Sequence, residues 1–297
     1  MRLLFGIIVV FASVLGGFAA MGGHMPILWQ PVEVLIIVGA GIGGYVIANS
    51  RTILKETVGT IAAVARGRRT AKDDYLDLIS LLYALLRQAK SKGLSQIEAD
   101  IDDPSNSAIF TQYPRVFQHQ RSITFLCDYM RLMTLGQDNP HDMEALMTEE
   151  IETIGRELNQ VPKALQTLAD ALPALGIVAA VLGIINAMGA ISGPPEVLGH
   201  MIGGALTGTF LGVLLSYGLV GPIASAARQR RDAELNLFVC IRAGLLAFLR
   251  ESPPQICAEF ARKVLYADVQ PSLAEVEAAT ALSAQSKGRE GREAAAA

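Results

Sequence analysis

Few side chains in this chain of 297 residues have the type and spacing that chemistry would need. Thr207 and Thr209 carry hydroxyl groups inside residues 201–222, an apolar stretch without charge. Residues 39–44, Gly-Ala-Gly-Ile-Gly-Gly, fit the glycine pattern of a dinucleotide-binding loop. The sequence has no P-loop, no nucleophile elbow and no cluster with the spacing of metal ligands. We therefore expect a protein that is not an enzyme and that holds no cofactor or metal.

The stretch 201–222 also shows a regularity that concerns packing. Small residues recur at every fourth position and so share one face of a helix: Gly204, Gly208, Gly212 and Ser216. Such a face lets another helix approach closely within a membrane. The glycines of residues 39–44 have a similar spacing and continue into an apolar run. Because no βαβ alternation follows them, this context favours helix packing over the dinucleotide interpretation.

The composition predicts a membrane protein. With 51% hydrophobic and 18% charged residues, the chain is too apolar for an average soluble domain. A spanning helix needs roughly 20 mainly apolar residues. Four stretches meet this requirement and form two pairs, 3–21 with 32–48 and 171–191 with 197–222. We predict an all-α membrane protein with four transmembrane helices in two hairpins (1–50 and 171–222), a cytoplasmic helical domain between them (51–170) and a cytoplasmic tail (223–297).

The basic residues predict the orientation, because Lys and Arg near the ends of spans stay on the cytoplasmic side. The connectors 24–31 and 192–196 contain neither residue type. Both termini are therefore expected in the cytoplasm. An alternative interpretation of residues 1–20 is a secretory signal, but its removal would leave three spans and break the charge rule for one pair. From about residue 283 the tail lacks apolar periodicity, which predicts disorder.

The four predicted spans carry no Asp, Glu, Lys or Arg deep within them. Glu33 and Asp170 lie only at their edges. A chain that moved protons or sodium by itself would be expected to hold an ionisable group at mid-membrane. If this protein conducts ions, another chain must supply the carrier. The net charge of -3 does not favour binding to nucleic acid.

The predicted cytoplasmic domain contains two features of interest. Residues 51–70 have apolar positions at helical spacing and basic residues near both ends, which predicts a helix on the membrane surface or against a neighbouring subunit. An amphipathic helix then follows a predicted cap at Asp73 or Asp74 and stops at Gly93. Charges of opposite sign flank that stop, namely Arg87, Lys90 and Lys92 before it and Glu98, Asp100, Asp102 and Asp103 after it. An ordinary solvated pair of helices explains this pattern, and an electrostatic docking tip is the alternative.

Several stretches together resemble one known family. The chain is similar over essentially its whole length to the MotA/PomA family, the A subunits of the bacterial flagellar motor stator. The similar stretches are 94–104, 127–131, 171–183, 208–218 and 253–266. The more distant ExbB/TolQ proteins share the second membrane pair but not the long first pair and middle domain.

The resemblance implies a partner and a set of functional residues. A subunits of this family form a pentamer in the inner membrane around two copies of a single-span B subunit (MotB/PomB-like), whose transmembrane Asp accepts the ion. Residues expected along the ion path are Thr209, Ala180 and Tyr217. Pro173 and Pro222 are expected to couple protonation of that Asp to movement of the cytoplasmic domain, which implies a role in flagellar rotation and chemotaxis.

The resemblance also implies a contact with the rotor protein FliG through Lys90 and Glu98, with Arg87 nearby. The family's usual residue at the first position is Arg, so Lys90 keeps the positive charge but loses planar bidentate pairing. Residues 173–190 contain no Ser or Thr to ligate sodium, which favours protons as the coupling ion. Two alternatives stay open, an ExbB/TolQ-like energising subunit and a passive membrane scaffold in contact with lipid.

Overall fold

The computed structural model describes residues 2–67 and 70–281, and within these residues every regular element is helical. The α-helices are α1 Arg2–Ala20, α2 Pro31–Ala48, α3 Arg51–Ala65, α4 Lys72–Lys92, α5 Glu98–Asp102, α6 Gln120–Thr134, α7 Pro140–Leu158, α8 Gln160–Gly189, α9 Pro195–Leu215, α10 Gly221–Leu249 and α11 Pro254–Lys263. Short 3₁₀ turns join several of them, and residues 273–281 are also helical. The predicted all-α class is confirmed. The disorder predicted from about residue 283 falls outside the described residues.

Four helical segments in the described residues are long and apolar enough to cross a membrane, as predicted. They contain α1, α2, α8 and α9. The strongest association joins α8 and α9, and α2 packs against both of them. Helix α1 instead touches α3 and residues 216–220, a π-helical turn between α9 and α10.

The chain folds into two units. The membrane unit comprises Met1–Arg68 and Leu158–Arg231, and the polar unit comprises Arg69–Glu157 and Asp232–Ala297. This division places α3 with the membrane helices. Ile53 and Val64 of α3 pack against a buried cluster from α8 and α10, whereas Val58 of α3 is 70% exposed. The inward face of α3 is therefore covered by its own chain.

Helix α4 shows how local sequence sets the bounds of an element. It begins at Lys72, with Ala71 rather than Asp73 or Asp74 at the cap position, so the predicted cap was wrong. The carboxylate of Asp74 accepts the Ala71 N–H at 2.7 Å, which satisfies a free donor of the first turn. The helix ends at Gly93, whose φ of 91° suits glycine, and the Gly93 N–H donates to the Ala89 carbonyl at 3.0 Å.

The core of the polar unit forms around α4, which is buried on most sides because leucine and isoleucine occupy nearly consecutive positions. Aromatic rings extend this core. Phe125 packs edge-on against Phe238 with ring centroids 5.3 Å apart and against Tyr129 at 4.6 Å. The Tyr75 hydroxyl donates to the Ala233 carbonyl at 2.7 Å, so a buried polar group of the core has a partner.

The membrane unit depends on the close approach of α8 and α9. A Cβ atom added to Gly212 would lie 2.7 Å from the Leu172 oxygen and 2.8 Å from the Gly176 Cα. One added to Gly176 would lie 2.8 Å from the Gly208 oxygen. The two backbones are therefore in van der Waals contact, which only glycine permits at these positions. Without a hydrophobic driving force between helices in lipid, such contact is a main source of their association.

We expect Gly212→Val to destabilise the protein by about 2 kcal/mol or more, because the backbones must separate to admit the side chain. Gly199→Val is the matched control, since it lies on the same helix and a Cβ there meets no atom within 4 Å. Thermal unfolding of both purified variants measures the difference. Equal losses of stability would show that the glycine contact is not what holds the two helices together.

Candidate functional site

A hydroxyl group of interest lies on α9, directly after a residue that contacts α8. A Cβ added to Gly208 would lie 3.2 Å from the Ala179 Cβ and 3.3 Å from the Ala180 nitrogen, so Ala180 is buried directly against α9. The next residue, Thr209, is half-buried. Its hydroxyl has no hydrogen-bond partner within residues 2–67 and 70–281. By contrast, the Thr207 hydroxyl can donate to the Gly203 carbonyl of its own helix at 3.0 Å or to the Ile27 carbonyl at 3.4 Å. Thr209 thus retains a donor and an acceptor for another molecule.

Tyr217, the third residue expected along the ion path, has a different setting. It lies in the π-helical turn 216–220 and is 73% exposed, whereas Ala180 is 7% exposed. Ala180 therefore lies against Gly208, the residue before Thr209, whereas the Tyr217 ring lies on the outside of the chain. A ring in that position is available to a neighbouring molecule or to lipid.

Pro173 lies inside α8 and leaves one backbone carbonyl to be satisfied elsewhere. Proline has no N–H, so the Ala169 carbonyl loses the partner that an α-helix would supply. The Ser216 hydroxyl donates to that carbonyl at 2.6 Å, and Ser216 is only 2% exposed. The sequence indicated Ser216 only as a small packing residue. Counting four residues back from Pro173 identifies the carbonyl that needs a donor, but not where the donor comes from.

Pro222 follows directly after a local widening of the helix. Residues 216–220 form a π-helical turn, in which the Gly221 N–H donates to the Ser216 carbonyl five residues earlier. Turns of this kind accommodate an extra residue in a helix and occur frequently at functional sites. The two prolines expected to act in coupling therefore both lie next to departures from regular α-helical bonding.

The acidic side chains of α2, α8 and α9 lie at or near the ends of the predicted spans. Glu33 is in the first turn of α2, Glu196 is in the first turn of α9, and Asp170 precedes Pro173 and accepts a hydrogen bond from Gln166 at 2.8 Å. After Asp170, α8 has no ionisable side chain. Helix α9 has none after His200, which lies near its start. No group of three metal-ligating side chains occurs in the described residues. This face can line a path for an ion but cannot itself bind a proton at mid-membrane.

The segment that joins α4 to α5 forms the predicted docking tip. Arg87 and Glu98 are exposed, and neither has an ion-pair partner among the residues that the structure describes. Lys90 is also exposed, but its Nζ lies 3.3 Å from the Glu251 carbonyl just beyond the end of α10. A cation is favourable at a helix C-terminus, so Lys90 has a role within its own chain.

Asp100 fixes the shape of this tip. Its carboxylate accepts hydrogen bonds from the Ser107 hydroxyl at 2.6 Å and from the Gln88 amide at 3.2 Å. The Ser107 oxygen in turn accepts the N–H groups of Ile109 and Phe110. Asp100 therefore links α4 and α5 to the loop that follows, an internal role that no local pattern of the sequence indicates.

The three cysteines all lie in the polar unit and are buried. Burial raises the pKa of the Cys240 thiol to about 12, and burial together with the nearby Asp128 carboxylate raises the pKa of Cys127 to about 12. Burial raises the pKa of Cys257 to about 11. The three thiols are thus protonated at neutral pH and are poor nucleophiles.

Comparison with known proteins identifies the family. The sequence matches the family described as Motility protein A N-terminal over residues 4–93 and the MotA/TolQ/ExbB proton channel family over residues 118–238. It is 40% identical to Motility protein A of Salmonella typhimurium over 277 residues, which covers 93% of this chain and 94% of that protein. The chain belongs to the motility protein A family.

Other members of this family and two solved structures agree with that assignment. Motility protein A of Escherichia coli is 39% identical over the same share of both chains. The structure of MotAB from C. jejuni is similar in fold, with a TM-score of 0.73 at 17% identity over 90% of this chain and 96% of that chain. The flagellar MotAB stator complex from Bacillus subtilis has a TM-score of 0.65 at 24% identity over 86% and 92% of the two chains.

We expect Asp100→Ala to loosen the tip without unfolding the polar unit. Loss of both side-chain hydrogen bonds is expected to speed amide exchange in residues 106–112 by about tenfold, since a hydrogen bond to a charged group contributes roughly 1.5–3 kcal/mol. Hydrogen–deuterium exchange with mass spectrometry measures this change. Glu98→Ala is the control on the same short helix and should leave the exchange rates as they are. Equal exchange in both variants would contradict a structural role for Asp100.

Proposed function

We propose that this chain is the A subunit of a flagellar stator, which together with a B subunit lets protons cross the inner membrane and converts their flow into torque on the rotor. The observation that carries this proposal is the tightly packed, uncharged contact of α8 and α9, next to which the Thr209 hydroxyl has no hydrogen-bond partner among the described residues. A channel wall of this kind needs a carboxylate from another chain. The similar solved structures are of MotAB complexes, which supports a B subunit as that partner.

The assembly proposed is a pentamer of this chain around two B subunits, in contact with membrane lipid and with both termini in the cytoplasm. Apolar residues on α1 and on α8 support such surroundings, because the described residues leave more than half of each side chain exposed: Leu4, Phe5, Ile8, Ile177 and Ile185. The absence of Lys and Arg from the connectors 24–31 and 192–196 supports the orientation.

The proposed mechanism assigns a separate task to each part of the face. A proton bound to the B-subunit Asp changes the charge beside Thr209, whose hydroxyl can donate to the carboxylate form or accept from the acid form. Ala180 and Gly208 let α8 and α9 pack closely beside Thr209, since neither has a side chain larger than a methyl group. Pro173 and Pro222 lie where backbone bonding is already irregular, so the helices can change shape there with fewer regular bonds to break.

The proposed contact with the rotor protein FliG uses the exposed charges of the tip. Arg87 and Glu98 are free to pair with a partner of opposite sign. Lys90 contributes positive potential but is partly engaged with the Glu251 carbonyl. Charge pairs at such a surface chiefly set orientation and rate of association.

A second function deserves a test because the match over residues 118–238 includes TolQ and ExbB as well as MotA. An ExbB/TolQ-like subunit would also energise a partner with protons, but it would not act on the flagellar rotor. Deletion of the gene decides between the two, since loss of swimming with normal outer-membrane energisation favours the stator.

We expect Thr209→Val to reduce swimming speed by about tenfold at unchanged protein level. The variant keeps the size of the side chain but removes the hydroxyl, and one hydrogen bond to a charged group contributes roughly 1.5–3 kcal/mol. The measurement is complementation of a strain without its own A subunit. Thr207→Val is the control, because the Thr207 hydroxyl already has acceptors within the chain, the Gly203 carbonyl at 3.0 Å and the Ile27 carbonyl at 3.4 Å, and this variant should still swim. Normal swimming of the Thr209 variant would exclude this hydroxyl from the ion path.

Reversal of charge tests the rotor contact. We expect Arg87→Glu and Glu98→Lys each to reduce swimming severalfold, and the opposite reversal in the rotor protein to restore it. Glu152→Lys is the control, because Glu152 is equally exposed on α7 and has no partner among the described residues. If this control slows swimming as much as the tip variants, general surface charge rather than docking explains the effect.

A further inference from the structure

The Ser216 hydroxyl joins the two parts of the membrane unit that contain a proline. Pro173 deprives the Ala169 carbonyl of its helical donor, and the Ser216 Oγ lies 2.6 Å from that oxygen. Because Ser216 is 2% exposed, neither water nor lipid can readily replace it. The donor that satisfies α8 thus comes from the end of α9.

Ser216 takes part in the second irregularity as well. Its carbonyl accepts the Gly221 N–H and closes the π-helical turn that precedes Pro222. Ser216 therefore bonds to both irregular segments. Its side chain donates to the Ala169 carbonyl of α8, and its backbone carbonyl accepts the N–H that closes the turn. An α-helical Ser normally bonds to the carbonyl four residues earlier in its own helix, so this cross-helix geometry is specific to the site.

The bond between Ser216 and Ala169 lies next to the closest contact of α8 and α9. Gly212 lies one turn earlier, where α9 touches the backbone of α8 at Leu172 and Gly176. The hydrogen bond therefore extends the tightest contact of the membrane unit by one further turn. Movement of the turn 216–220 must either carry Ala169 with it or break the bond.

We propose that Ser216 is a positioning residue that ties the Pro173 segment of α8 to the turn before Pro222, so that the two prolines move as one unit. The consequence for torque rests on the proposed stator function, but the tie itself does not. The Ser216 hydroxyl touches no ion in this mechanism. It acts by holding the Ala169 carbonyl in place. This bond keeps α8 in register with the turn 216–220.

The test begins with Ser216→Ala in the complex of the chain with its B subunit. This variant keeps a small side chain, so a role in packing alone predicts no change. The tie predicts a thermal transition lower by about 3 °C or more and a swimming speed below half that of the wild type at equal protein level. The Cys thiol is a weaker hydrogen-bond donor than the Ser hydroxyl, so Ser216→Cys should give a thermal transition and a swimming speed between those of the wild type and of Ser216→Ala.

A double-mutant cycle with Pro173→Ala identifies the bond itself. Alanine at this position restores the N–H that can bond the Ala169 carbonyl within α8. In that background, Ser216→Ala should lower the thermal transition by less than half of its effect in the wild type. Thr207→Val is the control for the cycle and should combine additively with Pro173→Ala, since the acceptors of its hydroxyl are the carbonyls of Gly203 and Ile27 and not that of Ala169.

Two results would overturn the proposal: an unchanged thermal transition and swimming speed in Ser216→Ala, or strictly additive effects of Ser216→Ala and Pro173→Ala. Failure of the stator function looks different. In that case the wild-type chain with its B subunit would not restore swimming, while the thermal cycle on the purified complex would still report whether Ser216 and Pro173 are coupled.

Discussion

The backbone contact between α8 and α9 is the constraint on which the membrane unit depends. Gly176, Gly208 and Gly212 bring the two main chains together so closely that a single methyl group on any of them would meet atoms of the facing helix. Lipid cannot drive helices together by excluding apolar surface, since its own tails are apolar. Close packing and buried hydrogen bonds must do so instead. The Ser216–Ala169 bond belongs to the same contact.

This contact also accounts for the chemistry that the chain lacks. A contact made of glycine and alanine has no room for an ionisable side chain. Within the described residues, the acidic groups of α8 and α9 are Asp170, three residues before Pro173, and Glu196, in the first turn of α9. The proposed division of labour between two chains is consistent with this geometry. This chain would supply an uncharged surface with a hydroxyl group, and the proposed partner would supply the group that titrates.

The polar unit is held together in a different way. Its core depends on the burial of α4 and of aromatic rings such as Phe125 and Phe238. Its charged residues divide into two classes. Some serve the fold, as Asp100 does through Ser107 and Gln88. Others, such as Arg87 and Glu98, are exposed and have no ion-pair partner in the part of the chain that the structure describes. Only the second class is suited to recognition of a partner.

The sequence by itself determined the all-α class, the four membrane-spanning helices and the absence of a carrier at mid-membrane. These features depend on composition and on runs of apolar residues, which are local properties of the chain. The small-residue spacing of α9 likewise indicated a packing face. The family resemblance added Thr209, the prolines and the rotor-facing charges as expectations about function.

Only the tertiary structure decided which groups meet. The sequence shows that Pro173 frees the Ala169 carbonyl, but Ser216 lies 47 residues from Ala169 and becomes its donor only when α8 and α9 pack. In the same way, Lys90 reaches the Glu251 carbonyl across 161 residues. A local pattern predicts which backbone groups a helix leaves unsatisfied. The partner that satisfies them depends on how distant segments pack, and that is fixed by the shapes of their surfaces.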